Sequence, residues 1–143
     1  MTAFSPVSRR MLVISGALLV AVAITLMSGV IGPVTEEFRR GATPDIALKA
    51  FWVNIGLSLL LAVFVVVVAT LSVGPRWISV SLLILSGLVV LVLGLALADA
   101  GEAYRSHGPQ MATASTLLFV CAVADIFAAG LTVTAAVLRP PTS

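Results

Sequence analysis

Charged residues are scarce in this chain. Only 10% of its 143 residues are Asp, Glu, Lys or Arg, whereas 60% are hydrophobic. A soluble domain has about 25% charged residues on average. A chain with so few charges cannot cover a water-facing surface, so the sequence predicts a protein whose main solvent is lipid.

Residues that bind metals and redox cofactors are also few. Cys121 is the single cysteine and His107 the single histidine. One cysteine excludes an intramolecular disulfide, a CxxC pair and a thiolate metal cluster. Haem inside a bilayer needs axial ligands, most often histidine, and His107 belongs to a polar segment. Asp99 and Glu102 lie near His107 and could bind a metal weakly, but a histidine that is solvated or satisfied by a neighbouring group is the simpler interpretation. We therefore predict no cofactor.

Motifs typical of enzymes and of nucleic-acid-binding proteins are missing as well. The sequence contains no phosphate-binding Gly-rich loop and no nucleophile elbow. Its net charge of +2 comes from scattered residues, so no basic face for nucleic acid is expected. We predict a protein that is not an enzyme. The alternative, an enzyme acting on lipid, would use a polar group near one interface, formed by Asp99, Glu102, Tyr104 and His107.

Four long apolar runs make up most of the chain. They lie at about residues 11–32, 46–73, 77–98 and 110–138. About 20 apolar residues suffice for a helix to cross a bilayer. The predicted fold is therefore all-α: a polytopic membrane protein with four transmembrane helices in an up-down-up-down bundle, forming a single membrane domain.

The first polar connection predicts a short helix of its own. Pro33 is expected to end the first span, and Thr35 can cap a new helix. Residues 36–40, EEFRR, put Glu and Arg at helical pair spacing, and Gly41 can take the left-handed conformation after the last turn. We expect one to two helical turns at the membrane interface; the alternative is a loop that docks a partner.

Arginine and tryptophan mark the expected membrane boundaries. Arg9 and Arg10 precede the first span, Trp52 begins the second, and Arg76 with Trp77 begins the third. The Arg pair faintly resembles a twin-arginine export signal, but the run that follows is too long for a signal peptide. The turn between spans two and three is so short that the two spans are expected to be antiparallel neighbours.

The orientation in the membrane depends on basic residues. Four crossings place both termini on one side, and each side then has four basic residues. Arg9 and Arg10 flank the first span, which often decides the orientation, so we predict cytoplasmic termini. Seven of the eight basic residues are Arg. Together with the Ala-, Val- and Leu-rich composition, this indicates a GC-rich bacterial source and a multi-pass protein of the cell membrane, the bacterial inner membrane.

Small residues predict close helix packing. Gly87 and Gly94 are seven residues apart and share one face of the third span. Ala122 and Ala129 lie on the face of the fourth span that also contains Asp125. Small side chains let membrane helices approach closely, so these four residues are expected at helix–helix contacts.

Asp125 is the residue that most needs an explanation. It lies near the middle of the fourth span, where a carboxylate costs about 2.5–3.5 kcal/mol. Three interpretations are open: a hydrogen-bonding group that fastens the helix to a neighbour, a proton or cation site, or the acidic end of a substrate pocket. Asn54 and Ser58 form a polar stripe on the second span. Counted by helical rise, Asn54 lies roughly 9 Å from the level of Asp125, so we expect no direct contact.

These observations lead to one functional prediction and one alternative. We predict a non-catalytic integral membrane subunit or accessory protein that packs against larger membrane partners. The alternative is a small secondary transporter or channel that uses Asp125 as a proton- or cation-coupling carboxylate. The expected partners are membrane lipids and either other membrane subunits or further copies of this chain.

Overall fold

The computed structural model describes residues 5–41, 45–71 and 76–138. The elements in chain order are α1 (Pro6–Thr25), a π turn (Leu26–Val30), α2 (Ile31–Arg39), α3 (Asp45–Leu71), α4 (Arg76–Arg105), a 3₁₀ turn (Pro109–Met111) and α5 (Ala112–Val137). Four helices are long and apolar enough to span a membrane: Pro6–Arg39, Ile46–Leu71, Arg76–Arg105 and Ala112–Val137. The predicted all-α, four-span fold is confirmed. The up-down order stays a prediction.

The first span does not end at Pro33, so the prediction of a separate interfacial helix was wrong. One helix continues from α1 through the π turn into α2. Thr35 lies inside this helix, where its hydroxyl donates to the Ile31 carbonyl oxygen at 2.7 Å. A helical proline clashes with the carbonyl four residues earlier, here that of Gly29. Gly29 lies in the π turn, whose wider winding accommodates the proline without breaking the helix.

The end of α2 follows the sequence more closely. Arg39 pairs with Glu36 at 3.3 Å on the exposed face, as the spacing predicts. Gly41 has a φ of +77°, the left-handed conformation expected after the last helical turn. At the other end of the span, the Ser5 hydroxyl accepts a hydrogen bond from the Ser8 backbone N–H and caps α1.

The helices form a ring with one weak side. α5 packs against α1 and α4, and α1 also packs against α3, whereas α3 and α4 meet only sparsely. Spans two and three, which the sequence predicts to be neighbours, therefore contact each other only sparsely, because the glycine face of α4 is turned toward α5. Buried residues from all four spans form three layers, represented by Leu12, Val65, Leu83 and Ala135, by Leu19, Ala62, Val90 and Ala128, and by Val30, Ile55, Leu97 and Leu118.

The predicted boundary residues lie on the outside of the bundle. The side chains of Trp52 and Trp77 are exposed. Arg76 joins the start of α4 to the end of α5, because its guanidinium donates to the Leu138 carbonyl oxygen at 2.8 Å. The anchoring role of these residues stays a prediction. The short turn at residues 72–75 and the tail at residues 139–143 lie outside the described residues.

Candidate functional site

Asp125 lies inside the bundle and not on its lipid-facing surface. The residue has no exposed surface. Neither carboxyl oxygen has a hydrogen-bond partner among the residues that the structure describes. A buried polar group without a partner costs free energy, and a charged one costs more. The protein's own helices therefore bury this side chain. No recorded hydrogen bond from the described residues holds the carboxyl group in place.

Gly94 on α4 packs directly against Asp125. A Cβ atom added to Gly94 on α4 would lie 2.9 Å from the Asp125 Cβ and 3.2 Å from the Ala122 carbonyl oxygen. A Cβ added to Gly87 would lie 2.6 Å from Val133 Cγ2 and 3.4 Å from the carbonyl oxygen of Ala129. The four residues predicted to support helix packing are thus brought together in one α4–α5 contact.

Sequence analysis missed a third glycine in this contact. A Cβ added to Gly101 would lie 3.3 Å from the Leu118 Cβ and 3.3 Å from the Phe119 ring. Gly101 continues the seven-residue spacing of Gly87 and Gly94, a signal that was available in the sequence. Asp99 and Glu102 flank Gly101 and indicate a polar connection at this point of the sequence. In the structure, α4 continues as a helix to Arg105.

Asn54 is buried against the same stretch of α4 that covers Asp125. Its side-chain amide donates to the Leu93 carbonyl oxygen at 3.4 Å, and the Ser58 hydroxyl donates to the Asn54 amide oxygen at 3.4 Å. Leu93 immediately precedes Gly94, so Asn54 and Asp125 contact consecutive residues of α4. The predicted offset of roughly 9 Å between their levels assumed that the midpoints of the spans coincide, and its size stays a prediction. The structure records no hydrogen bond between the two side chains.

Two hydroxyl groups in the bundle interior are satisfied, in contrast to Asp125. Ser15 on α1 and Thr132 on α5 are fully buried, and their oxygens are 2.6 Å apart. Both hydroxyls also lie within 3.0 Å of the Ala128 carbonyl oxygen. This network fastens α1 to α5. Thr132 is seven residues after Asp125, so helical spacing puts both on one face of α5, whereas the sequence does not indicate that Ser15 is the partner of Thr132.

A second polar cluster lies at the end of the bundle formed by α2 and the α4–α5 connection. The His107 ring nitrogen Nδ1 is 3.5 Å from a carboxylate oxygen of the buried Glu37. The Tyr104 ring meets His107 edge-on with 5.1 Å between the ring centroids, and Phe51 lies 6.1 Å from Tyr104. His107 is thus half-buried and has a partner in Glu37, which is the satisfied histidine that the sequence offered as one alternative. The cluster joins α2 and α3 to the α4–α5 connection.

The described residues do not assemble a metal site. They contain no group of three or more His, Cys, Asp and Glu side chains that could hold an ion. Glu102 pairs instead with Arg105 at 3.6 Å on the exposed surface. The weak metal site considered for Asp99, Glu102 and His107 is therefore not formed in this part of the chain.

A cleft marks the weak side of the helix ring, and we call it the α3–α4 seam. It has a volume of about 230 Å³. Five alanines, one amide, one acid and three larger apolar or aromatic residues line it: Ala47, Ala50, Phe51, Asn54, Ala96, Leu97, Asp99, Ala100, Ala103 and Tyr104. Asn54 lines this cleft and also donates a hydrogen bond to Leu93, the residue next to Gly94, which packs against Asp125.

The arrangement permits two kinds of chemistry. Asp125 can hold a proton or attract a cation, and the α3–α4 seam can accept an apolar body with a polar group. A nucleophile paired with a base is not among the hydrogen bonds that the structure records for these side chains. No family model matches the sequence, and no curated protein or solved structure matches it.

Proposed function

We propose that this chain is a non-catalytic integral subunit or accessory protein of the cell membrane that packs against a larger membrane partner through the α3–α4 seam. The observation that supports this role is the asymmetry of the helix ring. The α4–α5, α1–α3 and α1–α5 pairs contact each other along much of their length, whereas α3 and α4 contact each other only sparsely and leave a cleft between them. A transmembrane helix of a partner would close the ring on that side.

The composition of the seam favours a helix as its occupant. Interfaces between membrane helices are rich in small residues, which let backbones approach, and polar side chains bond across them. Five alanines and the amide of Asn54 meet in the seam. Outside the cleft, large apolar side chains face outward, such as Val123 at 67% and Leu95 at 55% exposed. Lipid tails pack equally well against large side chains, so the small residues of the seam favour a helix over lipid as its occupant.

A site-specific photo-crosslinker tests this role in native membranes. A probe at Ala96, which is exposed in the seam, is expected to yield an adduct with one discrete membrane protein. A matched probe at Val120, which is 57% exposed on α5, is expected to yield lipid adducts only. Ala50→Trp should abolish the protein adduct by filling the cleft from α3, and Leu95→Trp should leave it intact. Lipid adducts alone at Ala96, or equal protein adducts at both sites, would contradict the proposal.

A proton- or cation-coupled carrier or channel is the second candidate, and Asp125 favours it. Ionisable residues in the middle of a membrane span are rare, and they usually serve a function such as proton or ion transfer. Its burial without a hydrogen-bond partner argues against the alternative that it fastens one helix to another. The two candidates differ in one respect: a carrier needs the carboxyl group of Asp125, whereas partner docking at the seam does not.

A further inference from the structure

A groove between α1 and α3 begins at two arginines and continues into the apolar part of the bundle. Its outer part has a volume of about 550 Å³ and is lined by Pro6, Arg9, Arg10, Val13, Ile14, Ala69 and Thr70. Its inner part, about 420 Å³, is lined by Val13, Gly16, Ala17, Val20, Ala62, Val63, Val66 and Val67. The two parts adjoin at Val13, which lines both, and together we call them the α1–α3 groove.

The α1–α3 groove has two chemically distinct ends. Arg10 is exposed at its mouth, and the Nε atom of Arg9 is buried without a hydrogen-bond partner among the described residues. From Arg10 to Val20 the groove follows ten residues of helix, about 15 Å along its axis. That inner stretch is lined almost entirely by Val, Ala and Gly.

The positive charge at the mouth has no acidic counterpart nearby in the chain. No Asp or Glu lines either part of the groove. Five of the six acidic residues of the sequence belong to the two longer polar connections or to the helix ends beside them: Glu36, Glu37, Asp45, Asp99 and Glu102. The sixth is Asp125, enclosed in the interior. Among the residues that the structure describes, the lining of the α1–α3 groove therefore presents arginine without an Asp or Glu side chain to neutralise it.

We propose that the α1–α3 groove binds one anionic phospholipid, with the phosphate of its headgroup at Arg9 and Arg10 and one acyl chain along the Val- and Ala-lined part. Guanidinium groups match phosphate oxygens in geometry and charge. Basic residues at a membrane surface attract anionic lipids over zwitterionic ones. The length and apolar lining of the inner part fit a hydrocarbon chain and exclude a soluble anion from that part of the site.

Native mass spectrometry of the protein in mild detergent, titrated with phosphatidylglycerol and with phosphatidylcholine, tests the site. Phosphatidylglycerol is expected to form a one-to-one adduct at lower concentration than phosphatidylcholine. Arg9→Gln combined with Arg10→Gln should weaken the adduct about thirty-fold, since each basic residue contributes about a factor of five. The matched control is Arg39→Gln combined with Arg40→Gln, the second Arg pair of the chain, which should leave binding unchanged.

A second variant tests the apolar part without changing any charge. Ala17→Trp fills the groove from α1 and should lower the affinity for phosphatidylglycerol, whereas Leu95→Trp on the outer face of α4 should not. If the double arginine variant does not fold, the comparison of Ala17→Trp with Leu95→Trp tests the lipid site by itself. The proposal is overturned if phosphatidylcholine binds equally well, if both Arg pairs matter equally, if Ala17→Trp has no effect, or if inorganic phosphate displaces the lipid.

Discussion

Replacing Asp125 with alanine is expected to stabilise the folded bundle. The change removes two buried oxygens that have no hydrogen-bond partner among the described residues. Relief of that cost should raise the free energy of unfolding by about 1–3 kcal/mol, less the cost of the small cavity left behind. Unfolding in a fixed detergent mixture, followed by circular dichroism, measures the difference.

Asn54 provides the matched control, because it is a buried polar residue with partners. Asn54→Ala breaks the bond to the Leu93 carbonyl oxygen and removes the acceptor of the Ser58 hydroxyl. It should lower the free energy of unfolding by roughly 1 kcal/mol, the usual size of such bonds in membrane bundles. The two substitutions should therefore act in opposite directions. A loss of stability on Asp125→Ala as large as that on Asn54→Ala would mean that the carboxyl group does hold a partner.

The isosteric change Asp125→Asn separates the two candidate functions. It keeps the shape of the side chain and removes its ability to ionise. A carrier that couples solute movement to protons or cations should lose that flux in proteoliposomes. A docking subunit should retain the protein adduct at Ala96. A residue whose removal increases stability is typically kept for its function, so a gain in stability together with loss of flux would favour the carrier.

Gly94→Val is expected to be the most damaging single substitution in the α4–α5 contact. An added Cβ would meet the Asp125 Cβ at 2.9 Å and the Ala122 carbonyl oxygen at 3.2 Å, and the latter is backbone that cannot rotate away. The helices must separate, which should lower the free energy of unfolding by about 3 kcal/mol, at the upper end of overpacking costs. Gly56→Ala is the control, since a Cβ at Gly56 meets nothing within 4 Å. It should be neutral or slightly stabilising, because alanine favours helix more than glycine does.

The parts of this structure that the sequence predicts are those governed by local patterns. The lengths of the apolar runs identify the four helices, because the thickness of a bilayer sets how many residues a helix needs. The seven-residue spacing of Gly87 and Gly94 identifies the helix face that packs most closely. The left-handed conformation of Gly41 follows in the same way from its position after a helix end.

The parts that it does not predict depend on distant residues. Pro33 ends a helix in isolation, but the π turn at Gly29 accommodates it here. The level of Asn54 relative to Asp125 depends on how α3 and α5 slide along α4, which no single span encodes. Arg9 lies beside Ala69 only because α1 packs along α3, so the α1–α3 groove has no signature in the sequence.

The candidate carrier role and the expected effect of Asp125→Ala both require that Asp125 is enclosed by its own chain within the membrane. Thiol labelling in lipid nanodiscs tests this directly, in a Cys121→Ser background that removes the native cysteine. The thiol introduced by Asp125→Cys should resist both a lipophilic and a water-soluble maleimide until the protein is denatured. Val120→Cys should react with the lipophilic reagent, and Ser106→Cys, in the exposed connection, with the water-soluble one. Reaction at position 125 as fast as at either control would contradict the account.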